Sequence, residues 1–507
     1  MKLFVKKSLA QLMATPEEGA ESLKRTLGAG NLIALGIGAI IGAGLFVRTA
    51  AAAGGFAGSA VTISFIIAAV GCAFAGLCYA EFASIIPIAG SAYTYAYATM
   101  GEIVAWVIGW ALILEYALGA ATVSISWSEY LNNLVGHRIP FEWCHSPMES
   151  ILVNGVSHHG IINLPAVFIL LLLSLLLIKG TQESATVNSI IVIVKVSIVL
   201  IFIAIGWQYI NPANHTPYMI PDNAPPVILP DGTTYSYLGF FTHGWGGVVR
   251  GAGIVFFAFI GFDAVSTAAQ EAKNPKKDMP VGILGSLVIC TILYILFSWV
   301  LTGVAPYTDF MKAGKEASVA YAISHYMAGY AWLSTLVTVA ILAGFSSVIL
   351  VMLMGQSRVF YTMSVDGLLP KVFSDLHPKF RTPYKSNIIL FVFVGLFAAF
   401  LPESIAGDLT SIGTLFAFVV VCVGVMILRK KDPNLVRPFR TPLVPLVPIL
   451  GIIVCFGMIV SLPTNTQLSA FAWMVLGLII YFAYSQKNSK IGSAGDALPT
   501  ATDFEKK

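Results

Sequence analysis

Two glycine-rich stretches and a few ionisable side chains set in apolar sequence are where this chain can do chemistry. The first stretch reads Gly36-Ile37-Gly38-Ala39-Ile40-Ile41-Gly42-Ala43-Gly44-Leu45-Phe46. The second reads Gly251-Ala252-Gly253-Ile254-Val255-Phe256-Phe257-Ala258-Phe259-Ile260-Gly261-Phe262-Asp263. A glycine inside a helix costs about 0.5–1 kcal/mol relative to alanine, so Gly36, Gly38, Gly42 and Gly44 fit a continuous helix poorly. An unwound point frees backbone N–H and carbonyl groups, which a membrane interior tolerates only where a cavity or ligand satisfies them. A zwitterion suits such a point. Its carboxylate sits on the N–H groups at the positive start of a half-helix, and its ammonium takes the freed carbonyls. The competing reading is close helix packing through small residues.

Three ionisable residues lie deep in apolar runs. Lys195, in VNSIIVIVKVSIVLIFIAIGW, is roughly 13 Å into its segment at 1.5 Å per residue, where snorkelling is strained. It reads as a proton carrier or a fixed cation, or else as a structural lysine. Glu115, in GWALILEYALGAA, is a functional hypothesis by cost alone; the alternative is a hydrogen bond between helices. Asp263 either faces a cavity from the second glycine stretch or caps the half-helix that follows. Glu81, Glu102 and Glu271, with Arg358, read as an ion-pair gate or as solvated helix ends. The histidines at 137, 145, 158 and 159 lack metal-ligand spacing, and no metal is expected.

The elements that must position these residues follow from composition. Of 507 residues, 57% are hydrophobic and 11% charged, against about 25% charged in soluble domains. That excludes a soluble enzyme, a disordered chain and a nucleic-acid binder. Twelve apolar segments, here spans 1 to 12, have the roughly 20-residue length a bilayer requires: 30–53, 58–80, 101–131, 162–178, 186–207, 246–271, 281–303, 330–359, 386–401, 407–428, 444–462 and 468–485. Two polar excursions, 132–161 and 209–245, read as loops. With the N-terminus inside, 23 Lys and Arg residues fall on the inner side and 5 on the outer. The positive-inside rule then puts both termini in the cytoplasm. Residues 1–29 carry no early apolar run, so no cleaved signal peptide is expected. Five of the six cysteines lie in apolar segments and Cys144 in a loop, so no disulfide framework is expected.

Interrupted segments five spans apart, 1 and 6, are the pattern of an inverted-repeat transporter with a midplane site. At this point the chain resembles a family. GIGAIIGAGLF (36–46), CYAEFASIIPIAGSAYTYAYATMGE (78–102), FFAFIGFDAVSTAAQEAKNPKKDMP (256–280), SRVFYTMSVDGLLPKVF (357–373) and the RPFRTPLVPLVP that follows span 10 are similar to the cationic amino acid transporter branch of the amino acid–polyamine–organocation superfamily. The resemblance covers 25–485. It implies an all-α LeuT-type fold of five-plus-five inverted repeats (30–207 and 246–428) with two accessory helices in 444–485, a cytoplasmic segment 1–29 and a tail 486–507. It places substrate backbone contacts on Ile40, Gly42, Ala43 and Gly44, and on Phe257, Ala258 and Ile260, with Phe257 as a gating aromatic. It implies that Lys195 stands where sodium-driven relatives hold the ion, and that Glu115 lines the side-chain end of the pocket. Met352, six residues before Arg358, aligns with a position lining the distal pocket, where its apolar bulk favours small neutral L-amino acids over arginine or lysine. Ala43 stands where relatives often carry a hydroxyl, and Gln270 replaces one acid of a Glu pair.

The expected activity is proton-coupled uptake of alanine-like amino acids by a multi-pass protein of the bacterial inner membrane, without cofactors, as a monomer or weak oligomer. The alternatives are a cationic amino acid transporter, an exchanger without net proton flux and, remotely, a nutrient receptor. A membrane enzyme would need a catalytic motif such as HExxH or GxSxG, and the chain has none.

Overall fold

The computed structural model describes residues 4–7, 27–86, 90–153, 156–179, 184–230, 232–269, 272–312, 318–380 and 382–490. Gln270 and Glu271 lie outside them, as do most of the first 29 residues and the tail beyond 490. Among the described residues, eight helices are long and apolar enough to cross a membrane: Gly44–Ile85, Glu102–Leu134, Ser189–Tyr209, Gly244–Thr267, Pro275–Val304, Trp332–Val365, Glu403–Lys431 and Thr464–Asn488. Ala29–Ile40, Leu164–Lys179, Tyr384–Phe400 and Leu446–Ser461 are shorter and apolar. The stretch Gly44–Ile85 holds the second half of span 1 and all of span 2 and turns at Gly58, whose φ is +64°.

Span 3 is the structural spine. Glu102–Leu134 packs along both span 8 (Ala331–Val365) and span 10 (Glu403–Lys431). Span 7 (Pro275–Val304) packs against span 2 and the first half of span 1. Small residues set these separations: a Cβ on Gly282 would stand 2.7 Å from Leu32 Cβ, and one on Gly76 2.6 Å from Leu287 Cδ1. Without a hydrophobic drive between helices in lipid, close van der Waals approach of this kind is what associates them.

The described residues nearest the two ends, 4–7 and 485–490, lie on the same face. The Val5 carbonyl accepts the N–H of Glu102 at 3.0 Å, Lys7 pairs with Asp366, and the Lys490 N–H reaches the Asp366 carbonyl at 3.2 Å. Glu102 also accepts the hydroxyls of Tyr97 at 2.8 Å, Tyr481 at 3.0 Å and Ser489. Glu102 is therefore not a solvated end, and among the described residues its partners are hydroxyls rather than cations.

The segment 209–245, expected as a loop, is folded onto the opposite face. It carries a two-stranded pair, Val227–Ile228 with Thr234–Tyr235, and a small core of Ile220, Val227 and Tyr237. Tyr235 and Tyr237 donate to the carbonyls of Gly55 at 3.0 Å and Gly54 at 2.8 Å, at the end of span 1. The other excursion forms an antiparallel hairpin, Ser150–Val153 with Val156–His159. Cys144 lies in this excursion, as expected, and is buried.

Candidate functional site

Span 1 breaks at the glycine triplet. The helix Ala29–Ile40 ends with the Ile41 N–H closing onto Ile37, and Ile41 itself is extended, with φ −74° and ψ 105°. Helical bonding resumes with the N–H groups of Leu45 and Phe46 on the Gly42 carbonyl, at 3.1 and 3.4 Å. Between these points the carbonyls of residues 38 to 41 lack their usual donors four residues on, and the N–H groups of Gly42, Ala43 and Gly44 stand at the open start of the second half.

Span 6 breaks beside it. Gly244–Val255 passes into a tighter turn, Phe256–Phe259, then an extended Ile260 with ψ 136° and Gly261 at φ +109°, before Ala264–Thr267. The two breaks touch. A Cβ on Gly44 would stand 2.2 Å from Ala258 Cα, and one on Gly261 3.0 Å from the Ala39 carbonyl oxygen. Only glycine permits this approach at Gly44, and only glycine takes φ +109° at 261 without strain. Ile40, Ala43, Phe257, Ala258 and Ile260 are all buried around the junction.

Lys195 lies on span 5 (Ser184–Gly206) and its ammonium ends at the break in span 1. Nζ donates to the Gly38 carbonyl at 2.6 Å and the Ile41 carbonyl at 2.9 Å, with Ser347 Oγ at 3.4 Å. A Cβ on Gly344 of span 8 would press on the lysine stem at 3.3 Å from Cδ, so glycine there leaves it room. Tyr294 of span 7 reaches the same region: its hydroxyl is 3.0 Å from the Ile40 carbonyl and 2.8 Å from that of Ala258. No acid faces Lys195 at salt-bridge distance among the described residues. The counter-charge it meets is the carbonyl end of a half-helix.

Glu115 and Asp263 form a second, acidic neighbourhood, toward the face that bears the termini. Asp263 Oδ2 accepts the Tyr116 hydroxyl at 2.7 Å. Its Oδ1 is buried without a hydrogen-bond partner. The side chain precedes the half-helix Ala264–Thr267 but does not cap it; the link to span 3 replaces that role. Both Glu115 oxygens are buried without a hydrogen-bond partner, near Thr414 and Asp263. The hydroxyls of Tyr79 and Ser91 are buried nearby and also unbonded. Buried polar atoms of this kind are nearly always hydrated or liganded. Met352 packs one turn away, its Sδ 3.6 Å from where a Cβ on Gly119 would stand.

Sequence patterning missed Arg48. Counted as one of the few basic residues of the outer side, it is 2% exposed and paired with Glu403 at 3.4 Å and with Asp408, both near the start of span 10. Its guanidinium carbon stands 6.0 Å from the centroid of the Phe257 ring. No spacing signals a pair whose members are separated by most of the chain. Glu81 holds a different partner from the one expected. It takes Arg429 Nη2 at 2.7 Å and Nε at 3.0 Å, the Thr441 N–H at 2.8 Å and Arg437 at 3.2 Å. Arg358 reaches Thr267 Oγ1 at 3.5 Å, and Glu271 falls among the residues not described.

The two broken spans meet at Gly44 and Gly261, and the sequence comparisons say what family of chain carries them. The amino acid permease family profile matches residues 27–485. The chain belongs to the amino acid permease family. The permease is 44% identical over 492 residues to the branched-chain amino acid permease BcaP of Bacillus subtilis (strain 168), covering 96% of this chain and 99% of that one. It is 40% identical over 488 residues to the methylthioribose transporter of the same organism, covering 96% and 98%. It is 33% identical over 435 residues to the vacuolar cationic amino acid transporter 4 of Arabidopsis thaliana, covering 85% and 68%. The permease is a multi-pass membrane transporter, not an enzyme.

Proposed function

We propose that this permease takes up small neutral L-amino acids by alternating access, driven by protons that Lys195 binds and releases. The observation that carries the reading is the Lys195 ammonium seated on the Gly38 and Ile41 carbonyls at the break. A protonated amine brings three donors, enough for both carbonyls and Ser347 Oγ. A neutral amine keeps fewer and loses the attraction of charge for the helix end. Proton release therefore loosens the contact between span 5 and span 1, and substrate binding at the neighbouring groups couples to it. The cargo's carboxylate sits on the N–H groups of Gly42, Ala43 and Gly44. Its ammonium sits among the carbonyls of Ile40, Phe257, Ala258 and Ile260, under the Phe257 ring. The side chain points to Met352 and Glu115. The proposal carries with it the five-plus-five repeat architecture, cytoplasmic termini and residence in the bacterial plasma membrane.

The 44% identical relative is a branched-chain amino acid permease, which favours a second reading, in which Met352 bounds a pocket for larger apolar side chains. One experiment separates them: uptake of a labelled amino acid panel into proteoliposomes, with and without an inward proton gradient. Gradient-driven accumulation of alanine is expected, with arginine and lysine excluded. Preference for valine and leucine would move the substrate to the second reading, and accumulation indifferent to the gradient would remove proton coupling.

A further inference from the structure

Tyr294 is fully buried in the middle of span 7, its ring 5.2 Å from Phe259 and 5.4 Å from Phe65 between centroids. Its hydroxyl lies 3.0 Å from the Ile40 carbonyl and 2.8 Å from the Ala258 carbonyl. These oxygens come from two different chain segments, one at each break. A phenol has one proton, so it cannot satisfy both acceptors, and each carbonyl offers two lone pairs. One donor is thus shared between two acceptors that together call for more.

We propose that Tyr294 holds the place of the cargo's ammonium group. In the empty permease its hydroxyl ties the two breaks together. An incoming ammonium brings three charged donors to the same two carbonyls, and charge-assisted hydrogen bonds are about twice as strong as neutral ones. The ammonium takes the carbonyls, and the phenol turns to accept from it. On release the phenol recovers its acceptors, so the emptied site never leaves two buried carbonyls without a donor. Tyr294 is a positioning residue that sets the affinity for amines with N–H donors and keeps that affinity low enough for turnover. This rests on the reading that the cargo is an amino acid.

The test is Tyr294→Phe, which keeps the ring and its packing and removes only the hydroxyl. The empty variant then holds two carbonyls without donors, and an ammonium relieves more than it does in the wild type. Binding of the best wild-type amino acid, measured by calorimetry, is expected to tighten about tenfold, equal to about 1.4 kcal/mol, the size of a buried acceptor left unpaired. Turnover is expected to fall. The N,N,N-trimethyl analogue of the same amino acid, which has charge but no N–H, gains nothing. A tyrosine that only packs predicts unchanged binding of both ligands. Unchanged or weakened binding of the amino acid, or an equal gain for the trimethyl analogue, overturns the proposal. Should the variant fold poorly, the wild type supplies the second measurement. Infrared difference spectra with ring-labelled tyrosine should show a phenol band that shifts on adding the amino acid and not on adding the trimethyl analogue; no shift overturns it. A wild type that binds no amino acid at all overturns the transport reading instead.

Discussion

A lysine resting on the carbonyl end of a broken helix makes a sharp prediction at the scale of one side chain. Lys195→Ala is expected to keep substrate binding and lose accumulation under an imposed proton gradient; Lys195→Arg, permanently charged, is expected to bind and turn over slowly. Uptake at several external pH values checks both, and an unchanged pH profile in Lys195→Ala would move coupling to Glu115 and Asp263. Met352→Ser opens space beside Glu115, which has two unpaired oxygens to offer a cation. Arginine is therefore expected to begin competing with labelled alanine, and a flat competition curve would mean that another residue closes the pocket. A lysine in VNSIIVIVKVSIVL stands out against its apolar neighbours, so Lys195 is legible in the sequence. Its partners are less so: Gly38 lies in the glycine stretch where a break is expected, whereas Ile41 as the second acceptor depends on how the chain turns after the last hydrogen bond. Tyr294 gives no signal, because a tyrosine in ICTILYILFSW looks like any aromatic filling a gap.

Helix-scale consequences turn on how closely spans 1 and 6 approach. Gly44→Ala places a methyl 2.2 Å from Ala258 Cα and 2.5 Å from its backbone nitrogen, so backbone must shift. A loss of about 1–3 kcal/mol in stability is expected, read as a lowered unfolding temperature together with lost uptake. Ala258→Gly in the same protein should not rescue it, since the backbone contacts remain; recovery would mean that the two breaks are not packed as described. A bulkier residue at 44 would fail for the same steric reason, so it cannot by itself report a blocked carboxylate site. The breaks were readable because glycine density has a backbone cost that few other arrangements explain. Arg48 with Glu403 and Asp408, and Glu81 with Arg429 and Arg437, were not, because charge counting assigns a residue to a side of the membrane and says nothing of the helix it meets there.

For the molecule as a whole, the segment 209–245 ties several elements at the face opposite the termini. His215 lies 4.1 Å from the Trp299 ring and bonds the Trp299 carbonyl at 3.2 Å, and Asn214 donates to Gly303 at 2.7 Å, both at the end of span 7. Burial holds the His215 imidazole below its ordinary range. A depressed value favours the neutral ring, so this anchor is intact above the usual imidazole range and weakens as pH falls through the depressed value. Hydrogen exchange of amides around 211–218, corrected for intrinsic rates, should rise at acidic pH, and His215→Gln should abolish that step; a step that persists would assign it to another group. The segment's polarity and its absence of lysine and arginine marked it as extramembranous, but its order comes from hydroxyls donated to distant carbonyls, which no local pattern announces. Tyr235 and Tyr237 hold the Gly55 and Gly54 carbonyls, so the segment is fastened to the end of span 1 as well as to span 7. Leu238 stands 85% exposed only one residue past Tyr237, so a fluorophore on a cysteine there is expected to report from the water phase any movement of that end of span 1 during uptake, with no label inside the transport path.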